Sequence, residues 1–121
     1  IMIENLALLI EDDEDLSDIF SNALQAAGYH VEAILDGKVA QERLTQVVPK
    51  IILLDMHLPH VNGADLLKQI HANDKLKNSR IIITTADNVQ AEFYRNMASI
   101  VLVKPISFAQ LRDLTARFLN I

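Results

Sequence analysis

Five short apolar runs, each followed by a stretch of helical periodicity, predict an α/β fold with a five-stranded parallel sheet and helices on both faces. Three observations carry this reading. The first is Lys50-Ile51-Ile52-Leu53-Leu54-Asp55-Met56-His57-Leu58-Pro59, in which four apolar residues run straight into one carboxylate. An unbroken Ile/Leu run between Pro49 and Pro59 reads as a strand buried on both faces. The second is Leu6-Ala7-Leu8-Leu9-Ile10, a similar run that ends in Glu11-Asp12-Asp13-Glu14-Asp15. The third is the regular alternation of strand and helix along the chain, which leaves few arrangements once crossovers are right-handed.

The elements follow in order. After the first strand, Leu16, Ile19, Phe20, Ala23, Leu24 and Ala27 recur at helical spacing, and Gly28 is the expected stop. His30 to Leu35 alternates weakly and suits a sheet edge. Asp36-Gly37 is a turn and helix start, and Val39, Ala40, Arg43 and Leu44 mark a second, less apolar helix. The strand ending at Asp55 comes next. Asn62 can cap a helix that carries Leu66, Leu67 and Ile70. A polar loop, Asn73 to Ser79, precedes the strand Ile81 to Thr84. Thr85-Ala86-Asp87-Asn88 leaves that strand, and a short helix is expected to run to about Met97. Ile100 to Val103 is the last strand, followed by Lys104-Pro105. Ser107 and Gln110 have the spacing of a capping box, and Leu111, Leu114, Phe118 and Leu119 supply the last apolar face. This length and pattern suit a flavodoxin-like sheet with strand order 2-1-3-4-5.

The totals narrow the function. One domain over residues 1–121 is expected, and 50% hydrophobic residues call for a packed core. A net charge of -5 argues against non-specific nucleic-acid binding. The absence of cysteine removes disulfides and thiolate metal sites, and fits a reducing compartment. No apolar run approaches the ~20 residues of a membrane span, and the start lacks the basic segment of a secretory signal. Ile1 ahead of Met2 reads as a remnant, with Met2 as the expected native start.

Parallel packing places the C-terminal ends of the strands on one rim, where an open α/β sheet has its crevice. That rim receives Glu11, Asp12 and Asp13 from strand one, Asp55 from strand three, Thr85 from strand four and Lys104 from strand five. Converging carboxylates repel one another unless a cation joins them. Hard oxygen donors without cysteine favour Mg²⁺ over zinc. Asp55 is then placed as the nucleophile of an in-line phosphoryl transfer, with Lys104 and the Thr85 hydroxyl on the equatorial oxygens. Either Glu11-Asp12 or Asp12-Asp13 could form the metal pair. The first is preferred because it follows the strand directly and leaves Asp13 to start the helix. Singly, each residue has a plainer reading as a cap, strand end or surface charge. His57 and His60 have an H-x-x-H spacing, but in a loop without other ligands, and His30 and His71 read as surface or packing residues.

The set Leu8-Leu9-Ile10-Glu11-Asp12-Asp13, Ala27-Gly28-Tyr29, Asp36-Gly37, Leu53-Leu54-Asp55-Met56-His57-Leu58-Pro59, Asn62-Gly63, Thr84-Thr85-Ala86 and Val103-Lys104-Pro105 resembles a receiver domain of bacterial two-component response regulators over essentially the whole chain. The resemblance implies a cytoplasmic signalling module, not a turnover enzyme, in which Asp55 accepts phosphate from the phosphohistidine of a sensor histidine kinase or histidine phosphotransfer protein. It implies Mg²⁺ held by Glu11, Asp12, Asp55 and the backbone carbonyl of His57, phosphoryl contacts from Thr85 and Lys104, and a cis Lys104-Pro105 bond. His57 and Asp87 would flank the path of the hydrolytic water and tune the lifetime of the phosphate. A homodimer is among the implied assemblies; direct nucleic-acid binding through this domain and membrane association are not.

The chain departs from the family in two places. Val101 stands where receivers usually carry an aromatic residue, and Met97-Ala98-Ser99-Ile100 replaces a small and acidic stretch ahead of strand five. Thr85 and Lys104 are only 19 positions apart, which implies a trimmed fourth helix. Phe93 and Tyr94 are the candidates to stand in for the aromatic. These departures motivate a second reading, an interaction scaffold that does not signal by phosphate. A third, an aspartyl-phosphate-forming phosphatase, needs an acid two residues after Asp55, where this chain has His57. A flavin site is disfavoured because Glu11-Asp12-Asp13 would repel the phosphate.

Overall fold

A computed structural model describes residues 4–119. The expectation for Ile1 and Met2 lies outside them. The elements are β1 (Leu6–Ile10), α1 (Glu14–Ala27), β2 (His30–Ile34), α2 (Gly37–Arg43), β3 (Ile51–Asp55), α3 (Gly63–Ala72), β4 (Arg80–Thr85), α4 (Asn88–Tyr94), β5 (Ile100–Val103) and α5 (Phe108–Phe118). All strand pairs are parallel, in the order β2-β1-β3-β4-β5. The flavodoxin-like order read from the sequence is therefore the one found.

β1 and β3 are buried along their full length because helices cover both faces. Side chains alternate, so each central strand feeds two cores. Leu8, Ile10, Ile52, Leu54, Ile81 and Ile83 pack with Ala40 of α2, Leu66, Leu67 and Ile70 of α3, and Tyr94 of α4. Ala7, Leu9, Ile51, Leu53 and Ile82 pack with Phe20, Ala23 and Leu24 of α1 and Leu111 of α5. β2 is an edge strand, and its Glu32 is gripped by Arg43 through two hydrogen bonds of 2.7 and 2.8 Å. That fork fixes α2 against the sheet edge.

Helix ends follow the local sequence. Gly28 takes the left-handed conformation (φ 113°) that stops α1, and its N–H donates to carbonyls of the last turn. Asp36, Asn62 and Ser107 cap α2, α3 and α5 with side-chain acceptors. Two expectations need correction. The polar loop between α3 and β4 contains a short 3-10 helix over Asp74–Leu76, whose Leu76 is buried. The fourth helix stops at Tyr94 and not near Met97, because Arg95–Met97 close into a turn, with the Met97 N–H on the Tyr94 carbonyl. Tyr94 packs in the same core as Val101, whereas Phe93 is 65% exposed. Among the described residues no helix is long and apolar enough to cross a membrane.

Candidate phosphoryl and metal site

The site is built by residues that the sheet still holds just beyond, or at, its strand ends. The Glu11 N–H donates to the Ile34 carbonyl at 3.1 Å, the Met56 N–H after Asp55 donates to the Thr84 carbonyl at 3.1 Å, and the Lys104 N–H donates to the Thr85 carbonyl at 2.8 Å. Register places Asp55 beside Thr84. Backbone positions at the rim are thus set by the ladder and not by a mobile loop.

Glu11 is fully buried. Its Oε1 accepts from Lys104 Nζ at 2.8 Å, and its Oε2 accepts from the Asp13 N–H at 3.1 Å. Asp55 is also buried; its Oδ1 accepts from the His57 N–H at 3.0 Å, and its Oδ2 lies 3.4 Å from Lys104 Nζ. Asp12 is exposed. Carboxylate oxygens of Glu11, Asp12 and Asp55 all lie within 4.8 Å of one another. Asp13 is used differently, since its Oδ1 accepts from the Leu16 N–H at 3.0 Å and caps α1. Of the two acid pairs considered, Glu11 and Asp12 are the ones the fold brings to Asp55.

Thr85 closes β4 and is buried. Its Oγ1 donates to Gln90 Oε1 at 2.9 Å and accepts from the Asp87 N–H at 3.1 Å. Asp87 is exposed, and its Oδ1 caps α4 by accepting from the N–H groups of Val89 and Gln90. The His57 side chain is exposed and outside the carboxylate cluster. The Lys104-Pro105 peptide is cis. Gln90 was not legible as a site residue. A polar contact five positions away, across a loop, leaves no mark in hydrophobic periodicity.

The electrostatics follow from burial. Desolvation pushes the Glu11 carboxyl up to about 7, against the Lys104 hydrogen bond and the Asp13 N–H, while the Asp55 charge adds to the rise. Burial pulls the Lys104 ammonium down, but its hydrogen bond to Glu11 and the Asp55 and Glu11 charges outweigh this and raise it. A glutamate in the unfolded chain releases its proton near 4.5, and the folded one near 7. Between those values the folded state binds more protons, so the Glu11 contribution to stability falls as pH rises through that window and is level above it. In metal-free protein this is expected to cost roughly 1–3 kcal/mol. Urea unfolding in EDTA from pH 4.5 to 8 checks it: Glu11→Gln should flatten the decline, and an unchanged profile would refute the assignment.

Comparison with known proteins agrees with this architecture. The profile of the response regulator receiver domain matches residues 7–116. The chain is 33% identical over 113 residues to the phosphate regulon transcriptional regulatory protein PhoB of Rhizobium meliloti, covering 91% of this chain and 49% of that protein. It is 36% identical over 115 residues to the transcriptional regulatory protein CrdR of Helicobacter pylori, covering 93% of this chain and 54% of that protein. The chain therefore spans about half the length of these two relatives. Among solved structures, the chemotaxis response regulator CheY4 of Vibrio cholerae superimposes with a TM-score of 0.84 at 24% identity, over 98% of this chain and 99% of that one, which is a likeness of fold. The chain belongs to the response regulator receiver domain family.

Proposed function

We propose that this domain is a phosphoacceptor: Asp55 takes a phosphoryl group from a phosphohistidine in a Mg²⁺-dependent reaction, and the phosphorylated state changes a surface read by an output. The observation that carries the reading is the convergence of the Glu11, Asp12 and Asp55 carboxylates, two of which, Glu11 and Asp55, also meet the Lys104 ammonium.

The donor set suits Mg²⁺. All three ligating groups are carboxylates, one of them is open to solvent, and a single lysine leaves the cluster negative. Glu11, Asp12 and Asp55, with the His57 carbonyl, would hold the ion. A bound Mg²⁺ would supply charge neutralisation for the carboxylates and the phosphoryl oxygens.

The remaining work falls to the chain. The His57 N–H and Lys104 fix both oxygens of Asp55, which orients the nucleophile. An Asp55 oxygen forms the bond to phosphorus as the nitrogen–phosphorus bond of the donor breaks, and the electron pair returns to the imidazole. Lys104 and the Thr85 hydroxyl neutralise and hydrogen-bond the equatorial oxygens. The donor is a sensor histidine kinase or a histidine phosphotransfer protein. His57 and Asp87 tune the lifetime of the phosphate.

Intact mass after incubation with acetyl phosphate tests this. One phosphate adduct on the wild type, lost without Mg²⁺ and lost in Asp55→Asn, is the expected result, and His57→Ala should keep the adduct but change its half-life. No adduct, with Mg²⁺ still bound, would favour the non-signalling scaffold. The absence of both the adduct and metal binding would overturn the site itself.

A further inference from the structure

A threonine hydroxyl has one proton and gives it to one acceptor at a time. In Thr85 that proton goes to Gln90 Oε1 at 2.9 Å, bridging the last residue of β4 to the first turn of α4. A lone pair of the same hydroxyl accepts from the Asp87 N–H at 3.1 Å, so the connecting loop folds around it. Asp87 in turn accepts from the Gln90 N–H at 3.3 Å, which fixes the Gln90 backbone while its side chain reaches back. Thr85 is buried and Gln90 half-buried, so water does not freely replace the bond between them.

We propose that Gln90 is a positioning residue that holds the Thr85 hydroxyl in its resting orientation, and that a phosphoryl group on Asp55 must take this proton from Gln90. The proposal rests on the phosphoacceptor reading of Asp55. Two consequences follow. The bond opposes phosphoryl binding, so removing it in advance tightens that binding. Its release also removes the side-chain link between β4 and α4, a helix whose Val89 and Phe93 side chains are 80% and 65% exposed.

Beryllofluoride, a phosphoryl analogue, is titrated by calorimetry in Mg²⁺ against the full chain. Gln90→Leu keeps the bulk without the acceptor and is expected to bind about threefold to tenfold tighter than wild type. Gln90→Ala should shift in the same direction. In a Thr85→Val background, Gln90→Leu should have no further effect, within about twofold. A merely structural role for Gln90 would weaken binding or leave the two changes additive, and either result would overturn the proposal. Unchanged affinity in both Gln90 variants, with the wild type binding, rejects the tether and leaves the phosphoacceptor reading standing. No binding by the wild type rejects that reading and the tether together.

Discussion

Lys104→Met is expected to slow phosphorylation by small donors by about a hundredfold and to lower the stability of the metal-free fold at pH 7 by about 1–3 kcal/mol. Methionine keeps the apolar stem, so the change isolates the ammonium. Two effects compete. Removing one partner of a buried pair costs about 3–5 kcal/mol when the remaining charge is trapped. Here the charge is not trapped: Glu11 already titrates near 7 and takes up a proton instead, which limits the loss. Kinetics are expected to suffer more, because on the phosphoacceptor reading Lys104 is the chain's own cation for the phosphoryl oxygens, beside Mg²⁺. Stopped adduct formation followed by mass, with thermal unfolding alongside, checks both. Wild-type values for both would show that Lys104 is a bystander.

Gly63→Ala is the second large effect, and its cause is steric. A Cβ on Gly63 would lie 2.8 Å from the Cα and 2.9 Å from the carbonyl oxygen of Met56. These are backbone atoms and cannot rotate aside. Met56 is itself clamped into the sheet by its bond to Thr84, so α3 must retreat and loosen Leu66, Leu67 and Ile70. Alanine gains up to ~1 kcal/mol of helix propensity, against an overpacking cost of about 1–3 kcal/mol. The clash wins, and a net loss of about 1–2 kcal/mol should lower Tm by roughly 4–10 °C. Because α3 gives and not Met56, Mg²⁺ affinity should stay within about twofold of wild type. A large loss of Mg²⁺ affinity would mean that the sheet end is softer than its hydrogen bonds suggest.

The legible parts of this protein are those where one residue type answers one physical need. The Ile/Leu runs of β1 and β3 announce strands buried on both faces, Gly28 announces a left-handed stop, and Asp36, Asn62 and Ser107 announce caps. The order of those signals placed Glu11, Asp12, Asp55, Thr85 and Lys104 on one rim. Less legible is whatever depends on tertiary context. Nothing in an acidic run distinguishes a fully buried Glu11 from an exposed Asp12. Met97 is in phase with the fourth helix, yet the chain turns at Arg95 before reaching it. Leu76 looks like part of a polar loop until the 3-10 turn carries it into the core. Gln90 is a helix surface residue by pattern and a partner of Thr85 by geometry.

The bond between Lys104 and Glu11 joins positions 93 residues apart. During synthesis the acids leave the ribosome first, and at ~5–20 residues per second their cation follows roughly 5–20 seconds later. Throughout that interval no native arrangement can neutralise Glu11 and Asp55 from within the chain. A nascent chain lacking the last strand therefore carries both carboxylates without the ammonium that pairs with them, and these ion pairs close only after the segment that follows β5 has emerged.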